Sequence, residues 1–127
     1  MSKYVLDASA LMALLNAEVG AELVQNFLPA AVISTVNLAE VVTRLSVFGM
    51  PDDKIQESLT VLGLDAIPFD DEQAFRAGFL STYTQSLGLS LGDRACLALA
   101  LSTDSTAVTA DKAWRSLDIG VDIKLIR

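Results

Sequence analysis

The sequence predicts an α/β fold: one domain over residues 1–127, with a mostly parallel sheet of about five strands and helices on both faces. Two observations lead there. Short apolar runs with strand propensity alternate with longer segments whose apolar residues recur at helical spacing. The strands also end on acids or hydroxyl residues that can open the next helix, as in open sheets whose sites lie at the strand carboxyl ends. At 127 residues such a domain buries roughly two thirds of its unfolded surface.

Tyr4-Val5-Leu6 reads as the first strand and runs into Asp7-Ala8-Ser9. Ser9 to Leu15 forms a short apolar helix ending near Asn16, and Gly20 separates it from a second helix, Ala21 to Leu28, stopped by Pro29. Ala31-Val32-Ile33 is a buried strand, and Ser34 or Thr35 caps a helix that runs to about Phe48 and closes at Gly49. Pro51 with Asp52 and Asp53 opens the next helix, whose apolar stripe is Ile55, Leu59 and Leu62. The strand Ala66 to Phe69 contains Pro68, which suits a sheet edge. Asp70 and Gln73 form a capping box for a helix continuing through Tyr83, and Gly88 closes it. Ser90 caps a helix from Leu91 to Ser102, and Thr106 to Thr109 is the fourth strand. Ala110-Asp111 leads into a small helix through Trp114 and Leu117, and Asp122 to Ile126 is the last strand. The crossovers carry paired helices, where a plain flavodoxin-like alternation has one each.

Composition narrows the chemistry. There is no histidine, which excludes imidazole acid–base catalysis and His-ligated zinc. The single Cys96 lies among Ala and Leu, so it reads as a small buried hydrophobe, forms no internal disulfide and fits a reducing cytoplasm. Carboxylates remain as the reactive groups. A net charge of −7 argues against broad binding to a phosphate backbone, so nucleic-acid chemistry has to work through local basic residues or cations. The hydrophobic fraction of 52% and mean hydropathy of +0.46 are high, yet no apolar run reaches the ~18 residues of a membrane span. Asp7 interrupts any signal-peptide pattern. The apolar surplus therefore implies buried helices and a surface for self-association or a protein partner.

Four acids stand out, each with a plain alternative. Asp7 reads alone as a turn or cap residue. Glu40 reads as an exposed partner for Arg44 at i+4. Asp93 resembles a capping-box partner of Ser90, although its helix is apolar on every face beyond Arg94 and a carboxylate entering a core needs something positive to meet it. Asp111 can cap the short helix after it, in a position that mirrors Asp7. Their joint placement carries more. With the first strand central, strands two and three to one side and four and five to the other, the switch point falls between strands one and four. Asp7 and Asp111 then flank one crevice, bordered by the helices that carry Asp93 and Glu40. Four clustered carboxylates repel and take up protons unless cations neutralise them, and all-oxygen ligation points to Mg2+ or Mn2+. Arg44, Arg94, Lys112 and Arg115 are the nearest candidates for phosphate contacts, against the alternative of ordinary solvated charge.

Four motifs, in order, carry a family resemblance: Tyr4-Val5-Leu6-Asp7-Ala8-Ser9-Ala10-Leu11, Asn37-Leu38-Ala39-Glu40-Val41, Ser90-Leu91-Gly92-Asp93-Arg94-Ala95-Cys96 continuing to Ala100, and Thr109-Ala110-Asp111. Together they resemble PIN-domain proteins, most closely the VapC-type toxins of bacterial toxin–antitoxin pairs, over essentially the whole chain. The resemblance implies a PIN-like domain and a metal-dependent endoribonuclease acting on single-stranded or looped RNA, often a tRNA. It matches the family's acids to Asp7 as central ligand and to Glu40, Asp93 and Asp111 as the rest of the cage, with Ser9 and Thr109 as supporting hydroxyls. It also implies a homodimer and a cognate antitoxin that blocks the site with a basic side chain.

Three other readings compete. A receiver-like phosphoacceptor module would use Asp7 and Asp70, but lacks a second acid beside Asp7 and the expected lysine. A haloacid-dehalogenase-like phosphatase would need an acid where Ser9 stands. A PIN fold kept only for binding is the third, opposed by four intact acids.

Overall fold

The computed structural model describes residues 3–127; Met1 and Ser2 of the expected domain lie outside the described residues. The chain order is β1 (Tyr4–Leu6), α1 (Ala8–Leu15), α2 (Ala21–Phe27), β2 (Ala31–Ser34), α3 (Thr35–Val47), α4 (Asp52–Thr60) and β3 (Asp65–Ile67). It continues with α5 (Asp71–Phe79), α6 (Ser81–Thr84), α7 (Leu91–Thr103), β4 (Thr106–Thr109) and β5 (Ile123–Leu125), with short 3-10 turns at 28–30, 85–87 and 112–116. The sheet order is β3-β2-β1-β4-β5. Every neighbouring pair is parallel, so the sheet is parallel throughout.

The first strand is central, as the switch-point argument requires. Val5 pairs with Val32 on one side and Ala107 on the other, and Leu6 with Ile33 and Val108. Alternation sends the two residues to opposite faces. Val5 packs with Val32, Ala107 and the apolar length of α7. Leu6 packs with Val108, Ala10, Ala13 and Val24 beneath α1 and α2. Both are fully buried, which is why a three-residue strand of apolar residues suffices here. A third cluster joins Ile33 to Leu11, Val41, Leu45 and Ile55, seating α3 and α4.

Several boundaries move. β3 is an edge strand, as its proline suggests, but it ends at Ile67 because Pro68 has no N–H for the ladder; the next amide, Phe69, donates instead to Thr35 Oγ1 at 3.0 Å. The single helix expected through Tyr83 breaks at Leu80 into α5 and α6. The Tyr83 amide bonds three residues back to Leu80 O, and Thr84 Oγ1 donates to the same carbonyl. α5 turns Gln73 and Ala77 inward and leaves Phe75 and Phe79, 66% and 70% exposed, outward beside Tyr83. The sheet order also removes the receiver-like reading. A receiver places its first and third strands together, whereas here β3 lies at the edge and Asp70 merely caps α5 through Gln73 N.

Candidate metal centre

Asp7 leaves the carboxyl end of β1, where its amide still donates to Val108 O at 3.0 Å. The side chain is 4% exposed and accepts three hydrogen bonds. Oδ1 accepts from Ser9 Oγ at 2.7 Å and from Ala10 N at 2.8 Å, which makes Asp7 the N-cap of α1. Oδ2 accepts from Thr109 Oγ1 at 2.5 Å. Ser9 Oγ and Thr109 Oγ1 lie 3.4 Å apart, and Ser9 Oγ also accepts from Ala110 N at 2.9 Å. The two hydroxyls thus clamp the carboxylate and tie α1 to the end of β4.

Burial pushes the Asp7 carboxyl up from 3.8 to about 6, against the opposing pull of the Thr109, Ala10 and Ser9 hydrogen bonds, and the nearby Asp93 charge adds to the rise. No cationic side chain pairs with Asp7 among the described residues. Cys96 reports the same grouping from below. Its thiol is pushed well above the usual range, first by burial and then by the fields of Asp7, Asp93 and Glu40. Its sulfur packs 3.9 Å from Val5 O, so it is the inert core cysteine the sequence suggests.

Asp93 sits in the first turn of α7 and forms the expected capping box. Ser90 N donates to its Oδ2 at 2.9 Å while Asp93 N donates to Ser90 Oγ at 3.2 Å. The side chain is half-buried at the helix mouth. Glu40, also half-buried on α3, makes no ion pair with Arg44 among the described residues; its Oε1 accepts from Asn37 Nδ2 at 2.8 Å. Asn37 Nδ2 also donates to Gly92 O at 3.0 Å, which draws α3 against the start of α7. Asp111 is exposed and caps the 3-10 turn at 112–116, its Oδ1 accepting from Ala113 N at 3.0 Å. Its own amide donates to Thr109 Oγ1 at 3.0 Å, so it hangs from the hydroxyl that holds Asp7.

Three of the four acids therefore cap helical segments, and none of the four forms an ion pair among the described residues. Capping places carboxylates at the positive ends of α1 and α7, which lessens their mutual repulsion without cancelling it. Among the described residues no three or more Asp, Glu or Cys side chains stand grouped so that they could hold a metal ion together. The chemistry of the donor set nevertheless suits a hard cation: oxygen atoms only, one pair of them on a buried carboxylate with no cationic partner among the described residues. Of the basic candidates, Arg94 is committed to Ala77 O at 2.9 Å, whereas Arg44, Lys112 and Arg115 are exposed. Asn37 and Gly92 are the site-bordering residues that sequence reasoning left without a role. Asn37 stands three residues before Glu40 on one helix face, a spacing that alone does not separate it from an ordinary polar helix residue.

The family model for the PIN domain matches residues 4–120. Among solved structures, the chain is similar to the DNA-bound VapBC of Salmonella typhimurium, with TM-score 0.79, 17% identity and 100% of both chains covered. It is also similar to a toxin–antitoxin complex from Klebsiella pneumoniae, with TM-score 0.73, 20% identity and 98% of each chain covered. FitAcB from Neisseria gonorrhoeae gives TM-score 0.72 at 20% identity over 97% of each chain. No curated protein matches the sequence at significance. A family match over nearly the whole chain, on a parallel five-stranded sheet with β1 at its centre, means that the protein belongs to the PIN-domain family.

Proposed function

We propose that the protein is a metal-dependent endoribonuclease, the toxin member of a toxin–antitoxin pair, hydrolysing phosphodiester bonds in single-stranded or looped RNA, with tRNA as one such substrate. The observation that carries this reading is Asp7: a buried carboxylate at the end of the central strand, held by three donors and raised to about 6 with no cationic side chain paired to it among the described residues. A site built this way favours a charge supplied from outside. Asp7, Glu40, Asp93 and Asp111 would hold Mg2+ or Mn2+. When bound, the cation supplies an activated water and stabilises charge developing on the scissile phosphate.

The chain's own residues do the rest. Ser9 and Thr109 fix the rotamer of Asp7, so its oxygens need no reorganisation to meet a ligand. Arg44, Lys112 and Arg115 stand exposed around the acids and are free to meet phosphates, while Arg94 braces α7 on α5. The three structural relatives named above include two toxin–antitoxin complexes by description or name, which supports a cognate antitoxin. The outward aromatic stripe of Phe75, Phe79 and Tyr83 supports a homodimer. The buried free thiol suits a cytoplasmic location, and no helix among the described residues is long and apolar enough to cross a membrane.

Purified protein incubated with end-labelled total RNA in Mg2+ or Mn2+ tests the reading. Discrete cleavage is expected, abolished by EDTA and by Asp7→Asn. Cleavage that persists in Asp7→Asn would sink the mechanism. RNA binding without cleavage in either metal would favour a silent PIN-fold binding protein, a reading that the exposed, capping Asp111 gives some support.

A further inference from the structure

Glu40 has three side-chain torsions and a potential partner, Arg44, one turn further along α3, yet it is bonded elsewhere. Asn37 Nδ2 donates to Glu40 Oε1 at 2.8 Å and to Gly92 O at 3.0 Å. Both partners are acceptors, so the amide has to face them with its NH2 group and not its oxygen. Asn37 Oδ1 is consequently turned away and has no partner, in a side chain that is 1% exposed. An amide serving the core alone would satisfy both ends. This one leaves its acceptor unpaired and spends both its donor contacts on one carboxylate and on the helix beside Asp93.

Gly92 completes the seat. The Glu40 carboxylate lies so close over its Cα that a Cβ there would overlap both carboxylate oxygens and the carboxyl carbon. Gly92 itself is buried and stands next to Asp93 in the first turn of α7. The absence of a side chain is what lets an acid from α3 reach the mouth of α7.

We propose that Asn37 is a positioning residue that holds the Glu40 carboxylate over Gly92 for a divalent cation, a role that rests on the metal-dependent reading above. A neutral donor is suited to this task. It fixes the carboxylate without neutralising it, whereas Arg or Lys at the same place would compete with the cation for its charge. Donors of this kind, one step removed from a metal, govern ligand orientation and typically change affinity about 10-fold to 100-fold when lost.

The test is Mn2+ binding, read from the electron paramagnetic resonance of free Mn2+, beside thermal melting of the metal-free protein. The variants are Asn37→Leu, similar in size but without a donor, and Gly92→Ala, each made alone and in a Glu40→Gln background. Asn37→Leu and Gly92→Ala are each expected to weaken Mn2+ binding about 10-fold or more, with the metal-free melting temperature of Asn37→Leu unchanged or raised. In the Glu40→Gln background neither change should weaken binding further. Wild-type affinity in Asn37→Leu, or an equal loss in both backgrounds, overturns the positioning role while leaving the metal reading intact. A parallel fall of melting temperature and affinity in both variants assigns the pair to the fold and also overturns it. If the wild-type protein takes up no Mn2+, the metal reading fails and the proposal fails with it. Should Asn37→Leu not fold, Asn37→Ala, which also lacks the donor and adds no bulk, takes its place with the same outcomes deciding.

Discussion

Asp7 couples folding to pH through its burial. In the metal-free protein its carboxyl sits at about 6 against 3.8 for the free side chain, with desolvation as the leading cause. Between those values the folded chain holds a proton that the unfolded chain has released. The stability from this proton is therefore fully present below about pH 4 and is lost as pH rises through 6, by a total of about 3 kcal/mol. Asn at position 7 keeps the cap and removes the charge. Urea unfolding in EDTA should show Asp7→Asn more stable than wild type at pH 7.5, with the advantage shrinking toward pH 5. A variant less stable than wild type at pH 7.5 would mean that the three donors outweigh the burial. The sequence could place this acid but not rank its two roles, because one geometry serves both: Oδ1 caps α1 while the same carboxylate remains available. Asn37 stayed unread for a different reason. A lone amide among apolar residues is indistinguishable from any helix polar residue until α7, 55 residues away, supplies Gly92 O.

At the scale of elements, α7 shows how a local rule and a site can share residues. Its reciprocal Ser90–Asp93 box was legible, as two residues at the spacing that satisfies the first-turn amides. Ser90→Ala removes one half of that box and should destabilise the protein by about 1 kcal/mol, measured as a lower urea midpoint with an unchanged slope. No loss would show that Asp93 is not fixed by its cap. The break between α5 and α6 was not legible. Phe75, Phe79 and Tyr83 recur every four residues as in one unbroken helix, but they face outward and do not set the path of the backbone. The path follows Leu80 and Thr84, both buried, which the tightened turn at Leu80 brings inward together. Likewise the stop after Ile67 follows from Pro68, which the sequence marked as an edge signal without fixing the residue at which pairing ends.

For the whole molecule, the sequence supplied a central first strand as the condition under which Asp7 and Asp111 share a crevice, and the sheet order meets that condition. Net charge sets the expectation for substrate binding. At −7, with Arg44, Lys112 and Arg115 exposed as the proposed phosphate contacts, the proposed function implies that few phosphates would be met at once. Fluorescence anisotropy of a single-stranded RNA with uncleaving Asp7→Asn should give a log–log salt slope no steeper than about −2, as three contacts would. A slope beyond about −4 would place the RNA on a basic surface elsewhere.

The hydrogen bond from Thr109 to Asp7 spans 102 positions of the chain. The carboxylate is made well before its clamp, so the two meet only after the chain has grown by those 102 positions. A growing chain holds Asp7, Ser9 and Glu40 for most of that time without β4 to pair with β1 and without α7 to bring Asp93 across. The order in which the strands are laid down keeps the proposed site incomplete until α7 and β4 have been made.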